Sequence, residues 1–224
     1  MIRALIFDFD GTILDTESAE FETWQEVYRR YGQELPMKEW SLIVGSAGYT
    51  FDLLEHLEHL VGSPLPREEI RLERRRRDQA IVESLSPREG VVKLLHEAVA
   101  AGLGLAVASS SPRAWIEGHL ARLDLLDLFQ AIASYDETGR GKPDPATYLL
   151  ALERLGVSPV EAVAIEDSPN GVMAAMAASI ACLAVPNPVT ARMTFPQGTR
   201  LQASLAGVSL QELAHLAGAV SAAD

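Results

Sequence analysis

Short apolar runs recur along the chain and predict the strands of a parallel sheet. The first run, Ala4-Leu5-Ile6-Phe7, stops abruptly at Asp8. A continuous apolar run of strand length is typical of a strand that is buried on both of its faces. Later runs of the same character cover residues 103–108, 131–133, 162–165 and 181–185. Together the runs predict five buried strands.

Helical patterns separate the later runs, and the sequence marks where several of them begin. Ser86-Pro87-Arg88-Glu89 has the spacing of a capping box, and apolar positions then follow at helical spacing as far as Gly102. Further helix starts are predicted at Ser111-Pro112, at Asp144-Pro145 with Tyr148, Leu149, Leu152 and Leu155 facing inward, and at the capping boxes Ser158-Pro159-Val160-Glu161 and Ser209-Leu210-Gln211-Glu212. The alternation of strand and helix predicts the α/β class, with a doubly wound, mostly parallel sheet.

Residues 15–85 interrupt this alternation, because they carry helical patterns alone. Apolar residues at helical spacing predict one helix that ends before Gly32 and another that ends before Gly62, and a third helix is predicted over residues 67–84. An all-helical block that follows the first strand predicts a small inserted cap domain over residues 15–85. The α/β core then comprises residues 1–14 and 86–224, and the links between the two parts would act as hinges.

Charge and cysteine content narrow the cellular setting. The 224 residues include 31 acidic and 19 basic side chains, and the formal net charge is −12. Nucleic acids and anionic membranes attract clustered Lys and Arg, so neither is expected as a partner. The single cysteine, Cys182, cannot form an internal disulfide, and the first apolar run is too short for a secretory signal. We expect a soluble cytoplasmic protein with no obligate protein partner.

Polar residues with chemical potential follow the predicted strands at the points where they end. Open α/β sheets bind ligands at the carboxyl ends of their strands. The candidates at this edge are Asp8, Asp10 and Thr12 after the first strand, Ser109 and Ser110 after the second, Lys142 after the third, and Glu166 and Asp167 after the fourth. Each of these residues alone is more often structural, but their joint placement on successive strand ends predicts a functional site.

These residue types fit the transfer of a phosphoryl group. Carboxylate oxygens are ligands for a hard cation, most simply Mg²⁺, and Lys142 and Ser109 can hold phosphate oxygens. Asp8 is ionised at neutral pH and can attack phosphorus directly, while Asp10 can protonate the leaving oxygen and then activate water. A non-catalytic receiver-like module that accepts a phosphoryl group also gathers such residues. It would lack an inserted helical block, and Asp10 would have no leaving group to protonate.

Four segments of the sequence resemble the motifs of the haloacid dehalogenase-like hydrolases. They are DFDGT at residues 8–12, ASSS at 108–111, GKPDP at 141–145 and AIEDSPNG at 164–171, and their order and strand context also match. The segment DGTILDTE leads into a helical block, which is similar to the β-phosphoglucomutase and phosphoglycolate phosphatase branch. The halide-releasing members of the family lack the second aspartate, so the presence of Asp10 sets them aside.

The resemblance implies a role for each motif residue. Asp8 would be the nucleophile and Asp10 the acid and base, while Ser109 and Lys142 would bind the phosphoryl group, with Thr12 and Ser110 as further candidates. Mg²⁺ would be held by the Asp8 side chain, the Asp10 backbone carbonyl and Asp167, with Glu166 nearby. The substrate would be a small phosphorylated metabolite.

Two departures from the resemblance bear on the reaction. In the mutases of this branch we would expect a histidine near position 20 and an arginine in the cap loop, but the chain has Glu20 and the loop 44–49 reads Val-Gly-Ser-Ala-Gly-Tyr. We therefore expect a phosphatase for small phosphomonoesters, with sugar phosphates foremost, and keep a phosphosugar mutase as the alternative. Gly45 and Ser46 are candidates for substrate specificity, because this loop would face the site when the cap closes.

Two smaller features lie outside these motifs. Many relatives carry Ala-Gly where this chain has Ala178-Ser179, and the loss of glycine after a helix predicts a small stability cost. The run from Arg74 to Arg77 is expected to form a solvated helix face, because four consecutive helical residues point in four directions.

Overall fold

The computed structural model describes residues 1–44 and 51–221. At its centre is a six-stranded sheet in which all neighbouring strands are parallel and the order is β3-β2-β1-β4-β5-β6. The strands are β1 (Ala4–Phe7), β2 (Gly104–Ala108), β3 (Ala131–Ala133), β4 (Ala162–Glu166), β5 (Ala181–Ala184) and β6 (Arg200–Leu201). The predicted apolar runs are confirmed as β1 to β5. The two residues of β6 are exposed, so the sequence has no apolar run that predicts this edge strand.

Ten α-helices are present in the described ranges. They are α1 (Thr16–Arg30), α2 (Met37–Trp40), α3 (Leu53–Val61), α4 (Arg67–Ser84), α5 (Val91–Ala100), α6 (Arg113–Arg122), α7 (Tyr135–Thr138), α8 (Ala146–Leu155), α9 (Pro169–Ala177) and α10 (Leu210–Ser221). None of these helices is long and apolar enough to cross a bilayer.

Helices cover both faces of the sheet, which confirms the doubly wound α/β class. Leu5 and Phe7 of β1 belong to one apolar cluster with residues of α5, α6 and α10. Ala4 and Ile6 point to the other face, where they belong to a second cluster with residues of α8 and α9. Successive residues of a strand face opposite sides, and each side here is buried, so the strands read as continuous apolar runs.

The register of the central strands brings their carboxyl ends to one edge. Phe7 pairs with Val107 on one side and with Ile165 on the other. The backbone N–H of Asp8 still donates to the carbonyl of Ile165, at 2.9 Å. The polar residues that follow β1, β2 and β4 therefore leave the sheet side by side.

Two helix predictions for the core are wrong, one at Ser86 and one at Ser158. The helix expected at Ser86 begins at Val91, after Gly90, whose φ is +87°. A Cβ on Gly90 would lie 2.2 Å from the backbone of Leu205, and the N–H of Arg88 donates to the carbonyl of Ile13 instead of entering a helix. Tertiary contacts thus override the local capping signal.

The capping box at Ser158 forms, with its hydroxyl 2.7 Å from Oε2 of Glu161, but it opens only a single 3₁₀ turn before β4. The start at Ser209 is confirmed by the same pair of bonds between Ser209 and Glu212 ahead of α10. The prediction that Leu149 faces inward is wrong, since its side chain is 47% exposed. The buried face of α8 is formed by Tyr148, Ala151 and Leu152.

Helices α1 to α4 confirm the helical character of the segment before α5 and share an apolar cluster of their own. Trp24, Tyr28, Trp40, Leu54 and Ile70 belong to it, and Val189 of the loop after β5 also joins it. The Tyr28 hydroxyl donates to the carbonyl of Leu53 at 2.8 Å and so ties α1 to α3. That residues 15–85 form a separate domain stays a prediction.

The arginine run on α4 is solvated except at one position. Arg75, Arg76 and Arg77 are exposed, but the side chain of Arg74 is only 11% exposed. Its guanidinium carbon lies 4.7 Å from the ring centre of Trp24. The expectation of a solvated face is therefore wrong for Arg74, because α4 packs this side against α1.

Candidate active site

Asp8 and Glu166 hold the Lys142 ammonium between them at the carboxyl edge of the sheet. Nζ of Lys142 lies 2.5 Å from Oδ1 of Asp8 and 2.5 Å from Oε1 of Glu166, and all three side chains are buried. The backbone N–H of Lys142 donates to the Ser110 hydroxyl at 3.0 Å. The turn after β3 is thus fixed to the end of β2, and the ammonium reaches the residue that follows β1.

Glu166 is fully engaged by neighbours within the protein. Besides Lys142, its Oε1 accepts from the Tyr148 hydroxyl at 2.8 Å. Its Oε2 accepts from the backbone N–H of Asp167 at 3.1 Å. A Cβ on Gly171 would lie 2.0 Å from this carboxylate, so α9 approaches Glu166 as closely as only glycine allows. The arrangement suits Glu166 to hold Lys142 in place.

Asp167 is oriented from two sides. The Thr12 hydroxyl donates to its Oδ1 at 3.3 Å, and Nδ2 of Asn187 donates to its Oδ2 at 2.7 Å. Gly11 has a φ of +83°, and a Cβ there would lie 2.4 Å from the same Oδ2. The first loop therefore needs glycine at this position both for its backbone conformation and for its approach to Asp167.

The Asp10 carboxylate is held by donors other than Lys142. Its Oδ1 accepts from the Thr16 hydroxyl at 2.9 Å and from Nε1 of Trp115 at 3.0 Å. Its Oδ2 accepts from the Ser111 hydroxyl at 2.6 Å, with the Ser109 hydroxyl further away at 3.5 Å. Residues of α1 and α6 and of the loop after β2 thus position Asp10 jointly.

The electrostatics of the site show an excess of buried negative charge. Burial raises the pKa of Asp8 to about 7, although Lys142 acts in the opposite direction. Burial, together with Asp8 and Glu166, also raises the pKa of Asp167 well above its usual range. Burial alone would lower the pKa of Lys142, but Asp8 and Glu166 outweigh it, so the pKa is raised and the ammonium stays charged.

The same carboxylates fit a hard divalent cation. Asp8, Glu166 and Asp167 each offer an oxygen, and these oxygens lie within 4.8 Å of one another. A cation would offset the mutual repulsion that raises the pKa of Asp167, and oxygen donors are those that Mg²⁺ prefers. The Asp10 side chain lies outside this group, and the binding of the cation by its backbone carbonyl stays a prediction.

A cavity of about 250 Å³ opens beside Asp8 and Asp10. Its walls come from the core and from the helical segment. They are lined by Asp8, Asp10, Ser109, Ser110, Ser111 and Trp115 on the core side and by Thr16, Glu17, Glu20, Trp40, Ile43, Val44, Asp78 and Val82 on the helical side. Nδ2 of Asn170 in α9 donates to the carbonyl of Val44 at 2.9 Å and so joins the core to the helical segment. The cavity volume lies just below the range of about 300–1,000 Å³ that is typical of ligand pockets, so the cavity limits its ligand to a small molecule.

The structure brings most of the predicted residues together, although their individual roles stay predictions. Asp8, Lys142, Glu166 and Asp167 form one buried cluster, Thr12 contacts Asp167, and Ser109 and Ser110 lie beside Asp10 and Lys142 respectively. Gly45 and Ser46 lie outside the described residues.

Sequence reasoning missed three residues of the site. Asn187 follows β5, so the strand-end rule that found the others would also have found it. Arg88 donates to the carbonyls of Gly11 at 2.5 Å and Val185 at 2.7 Å, and no sequence motif predicts these hydrogen bonds. Trp115 reaches Asp10 across 105 positions of the chain, and only the tertiary structure shows that contact.

Comparison with known proteins agrees with this geometry. The model of the haloacid dehalogenase-like hydrolases matches residues 5–185. The "Putative phosphatase YhcW" of Bacillus subtilis is 43% identical over 210 residues, which cover 94% of this chain and 95% of that protein. The "Phosphorylated carbohydrates phosphatase" of Thermotoga maritima is 34% identical over 190 residues, which cover 80% of this chain and 82% of that protein.

A solved structure shows the same architecture. A variant of CbbY from Rhodobacter sphaeroides, in complex with xylulose-(1,5)bisphosphate, superposes with a TM-score of 0.72 at 30% identity and covers 95% of this chain and 99% of that chain. The resemblance carried by the four motifs is thereby confirmed, and the receiver-like alternative is wrong. The chain belongs to the haloacid dehalogenase-like hydrolases, and it is a phosphatase of the branch that resembles β-phosphoglucomutase.

Proposed function

We propose that this enzyme hydrolyses small sugar phosphomonoesters with Mg²⁺ and through an aspartyl-phosphate on Asp8. The observation that carries the proposal is that Asp8 and Asp10 both line the cavity and that the Asp8 carboxylate accepts a hydrogen bond from Lys142. The names of relatives that act on phosphorylated carbohydrates support the substrate class. A cytoplasmic location belongs to the same proposal.

In the first step, an Asp8 oxygen attacks phosphorus and the bond between phosphorus and the ester oxygen breaks. Asp10 donates its proton to the departing oxygen, so the leaving group departs as an alcohol. Lys142 holds the phosphoryl oxygens and offsets their growing charge, and the Ser109 hydroxyl donates to them. Lys142 and a bound cation would favour the ionised form of Asp8 against the burial that raises its pKa, and this carboxylate is the nucleophilic form, which needs no base.

In the second step, Asp10 takes a proton from a water molecule, which attacks the phosphorus of the aspartyl-phosphate. The bond between phosphorus and the Asp8 oxygen breaks, and phosphate and the free carboxylate result. Asp8, Asp167 and the Asp10 backbone carbonyl would hold Mg²⁺, with Glu166 nearby. When bound, the cation would neutralise phosphoryl charge and offset repulsion between the carboxylates.

Residues 15–85 would serve as the cap of this site. Glu20, Trp40 and Asp78 belong to this segment and line the cavity, so its movement would open and close access to Asp8. A phosphosugar mutase is the alternative that the sequence left open, and Glu20 at the position expected for its histidine favours hydrolysis as the main reaction.

A panel of phosphorylated metabolites tests the proposal when free phosphate and product isomers are measured separately. We expect Mg²⁺-dependent release of phosphate from sugar monophosphates over many turnovers, and its loss in Asp8→Asn. An isomer that forms faster than free phosphate when a bisphosphate primer is supplied would identify a mutase instead. Undiminished release by Asp8→Asn would contradict the mechanism.

A further inference from the structure

The cavity wall that the helical segment supplies is acidic. Glu17, Glu20 and Asp78 line it from the helical segment, in addition to Asp8 and Asp10 from the core. The described lining contains no Lys, Arg or His. The loop over residues 45–50, outside the described part, reads Gly-Ser-Ala-Gly-Tyr-Thr and has no basic side chain to contribute. The wall therefore offers carboxyl groups to a ligand; burial raises the pKa of Glu20 and of Asp78, and Arg74 acts in the opposite direction on both.

Arg74 is the cation that accompanies these carboxylates, and its contacts are with residues of α1, although its buried Nε has no hydrogen-bond partner among the described residues. Its Nη1 lies 3.7 Å from Oε1 of Glu20 and donates to the Thr23 hydroxyl at 3.3 Å. Its guanidinium stacks on Trp24, and it does not line the cavity. Arg74 thus orients Glu20 toward the cavity without supplying a binding site for an anion.

Two further groups show that the wall is built to bind polar atoms. Trp40 lines the cavity and is fully buried, and its Nε1 has no hydrogen-bond partner among the described residues. Oδ1 of Asp78 is also buried and without such a partner in the same part of the chain. A buried indole N–H needs an acceptor, and a carboxylate oxygen needs a donor. A hydroxyl group can satisfy both, since it donates and accepts.

We propose that the Glu20 and Asp78 wall selects phosphomonoesters whose leaving group is an uncharged polyol, and that it rejects substrates with a second phosphate. This inference rests on the proposed function. Hydroxyl groups would donate to Glu20 and Asp78 and accept from Trp40. A second phosphate in the same cavity would face these carboxylates without a cation, and like charges at such distances repel strongly in a partly buried site.

The test compares kcat/KM for glucose 6-phosphate with that for glucose 1,6-bisphosphate in the presence of Mg²⁺, or for whichever hexose monophosphate is hydrolysed best and its bisphosphate. We expect the wild-type enzyme to prefer the monophosphate by about a hundredfold. The double variant Glu20→Gln and Asp78→Asn should reduce this preference at least about tenfold, mainly by improving the bisphosphate. The matched control is Glu22→Gln with Glu69→Gln, which removes the same charge from exposed positions of α1 and α4 and should leave the preference unchanged.

Failure of this inference is distinct from failure of the proposed function. No hydrolysis of any phosphomonoester would contradict the proposed function. Equal kcat/KM values for the monophosphate and the bisphosphate in the wild-type enzyme would overturn the inference alone. An unchanged preference in the folded double variant would also overturn it, because the acidic wall would then not be the cause.

Discussion

Nε1 of Trp115 donates a hydrogen bond of 3.0 Å to Oδ1 of Asp10, and so joins α6 to the loop that follows β1. The Thr16 hydroxyl donates to the same oxygen from α1. Oδ1 of the carboxylate that we assign to proton transfer is therefore held by one residue of the core and one of the helical segment, while Ser111 holds Oδ2.

Replacement Trp115→Phe keeps an aromatic ring and removes this donor. We expect kcat to fall at least about tenfold with little change in KM, because a hydrogen bond to a charged group contributes about 1.5–3 kcal/mol and this one orients the acid rather than the substrate. Steady-state kinetics and a thermal melt check the result together. An unchanged kcat in a folded variant would show that Trp115 does not position Asp10.

Divalent cation binding should both activate and stabilise the enzyme. Because Asp8, Glu166 and Asp167 crowd their oxygens within 4.8 Å, a bound cation relieves repulsion in the folded state alone. At about one hundred times its Kd, Mg²⁺ should stabilise the fold by about 2.7 kcal/mol and raise Tm by about 5 °C or more. Chelation should abolish hydrolysis, and Asp167→Asn should lose the shift in Tm. Full activity after exhaustive chelation would contradict the metal assignment.

The pH dependence of stability should reveal the burial of Asp8. In the metal-free folded state burial raises the pKa of Asp8 to about 7, against 3.8 for the unfolded chain. The folded state thus binds this proton more tightly, so the contribution of Asp8 to stability is present below the unfolded pKa. It is lost as the pH rises through the folded pKa.

Asp8→Asn removes the ionisable group, so the stability that wild type loses when Asp8 ionises is retained. The variant should therefore raise the Tm of the metal-free protein. The gain should be larger near pH 8 than near pH 5, by about 2 kcal/mol. Thermal melts in chelator measure it, and the exposed Asp127→Asn serves as a control that should show no such trend. An equal gain at both pH values would mean that burial does not raise the pKa of Asp8.

Ser179 is a position where glycine should stabilise the protein. Its φ is +59°, a conformation that costs a non-glycine residue free energy, and its side chain is exposed. Ser179→Gly should gain about 0.5–1 kcal/mol and raise Tm by about 2 °C. Ser179→Ala retains the Cβ and should bring no such gain. Equal melting temperatures for wild type and both variants would show that this turn carries no cost.

The fold was largely predictable because strands that are buried on both faces give recognisable apolar runs in the sequence. β1, β2, β4 and β5 are covered on both faces, so each reads as an unbroken apolar run. The exposed edge strand β6 has no such apolar run. The start of α5 was mispredicted because the contact of Gly90 with Leu205, which decides it, joins distant parts of the chain.

The core of the site was predictable for a topological reason, since parallel strands deliver their carboxyl ends to one edge. Asp8, Lys142, Glu166 and Asp167 all follow from that rule. The cavity wall does not, because Glu20 and Asp78 lie on different helices and meet only when α1 packs beside α4. Nothing local in either helix marks the residue that will face Asp8.

Trapping of phosphate on Asp8 is the sharpest test of covalent catalysis by this residue. Asp10→Asn with Mg²⁺ and p-nitrophenyl phosphate should accumulate the intermediate, because this leaving group needs no acid while the attacking water still needs a base. Acid quenching and mass spectrometry of the peptide that contains Asp8 should then find one phosphoryl group on that residue, and none in the Asp8→Asn enzyme. A phosphoryl group on another residue, or hydrolysis that survives Asp8→Asn, would contradict the account.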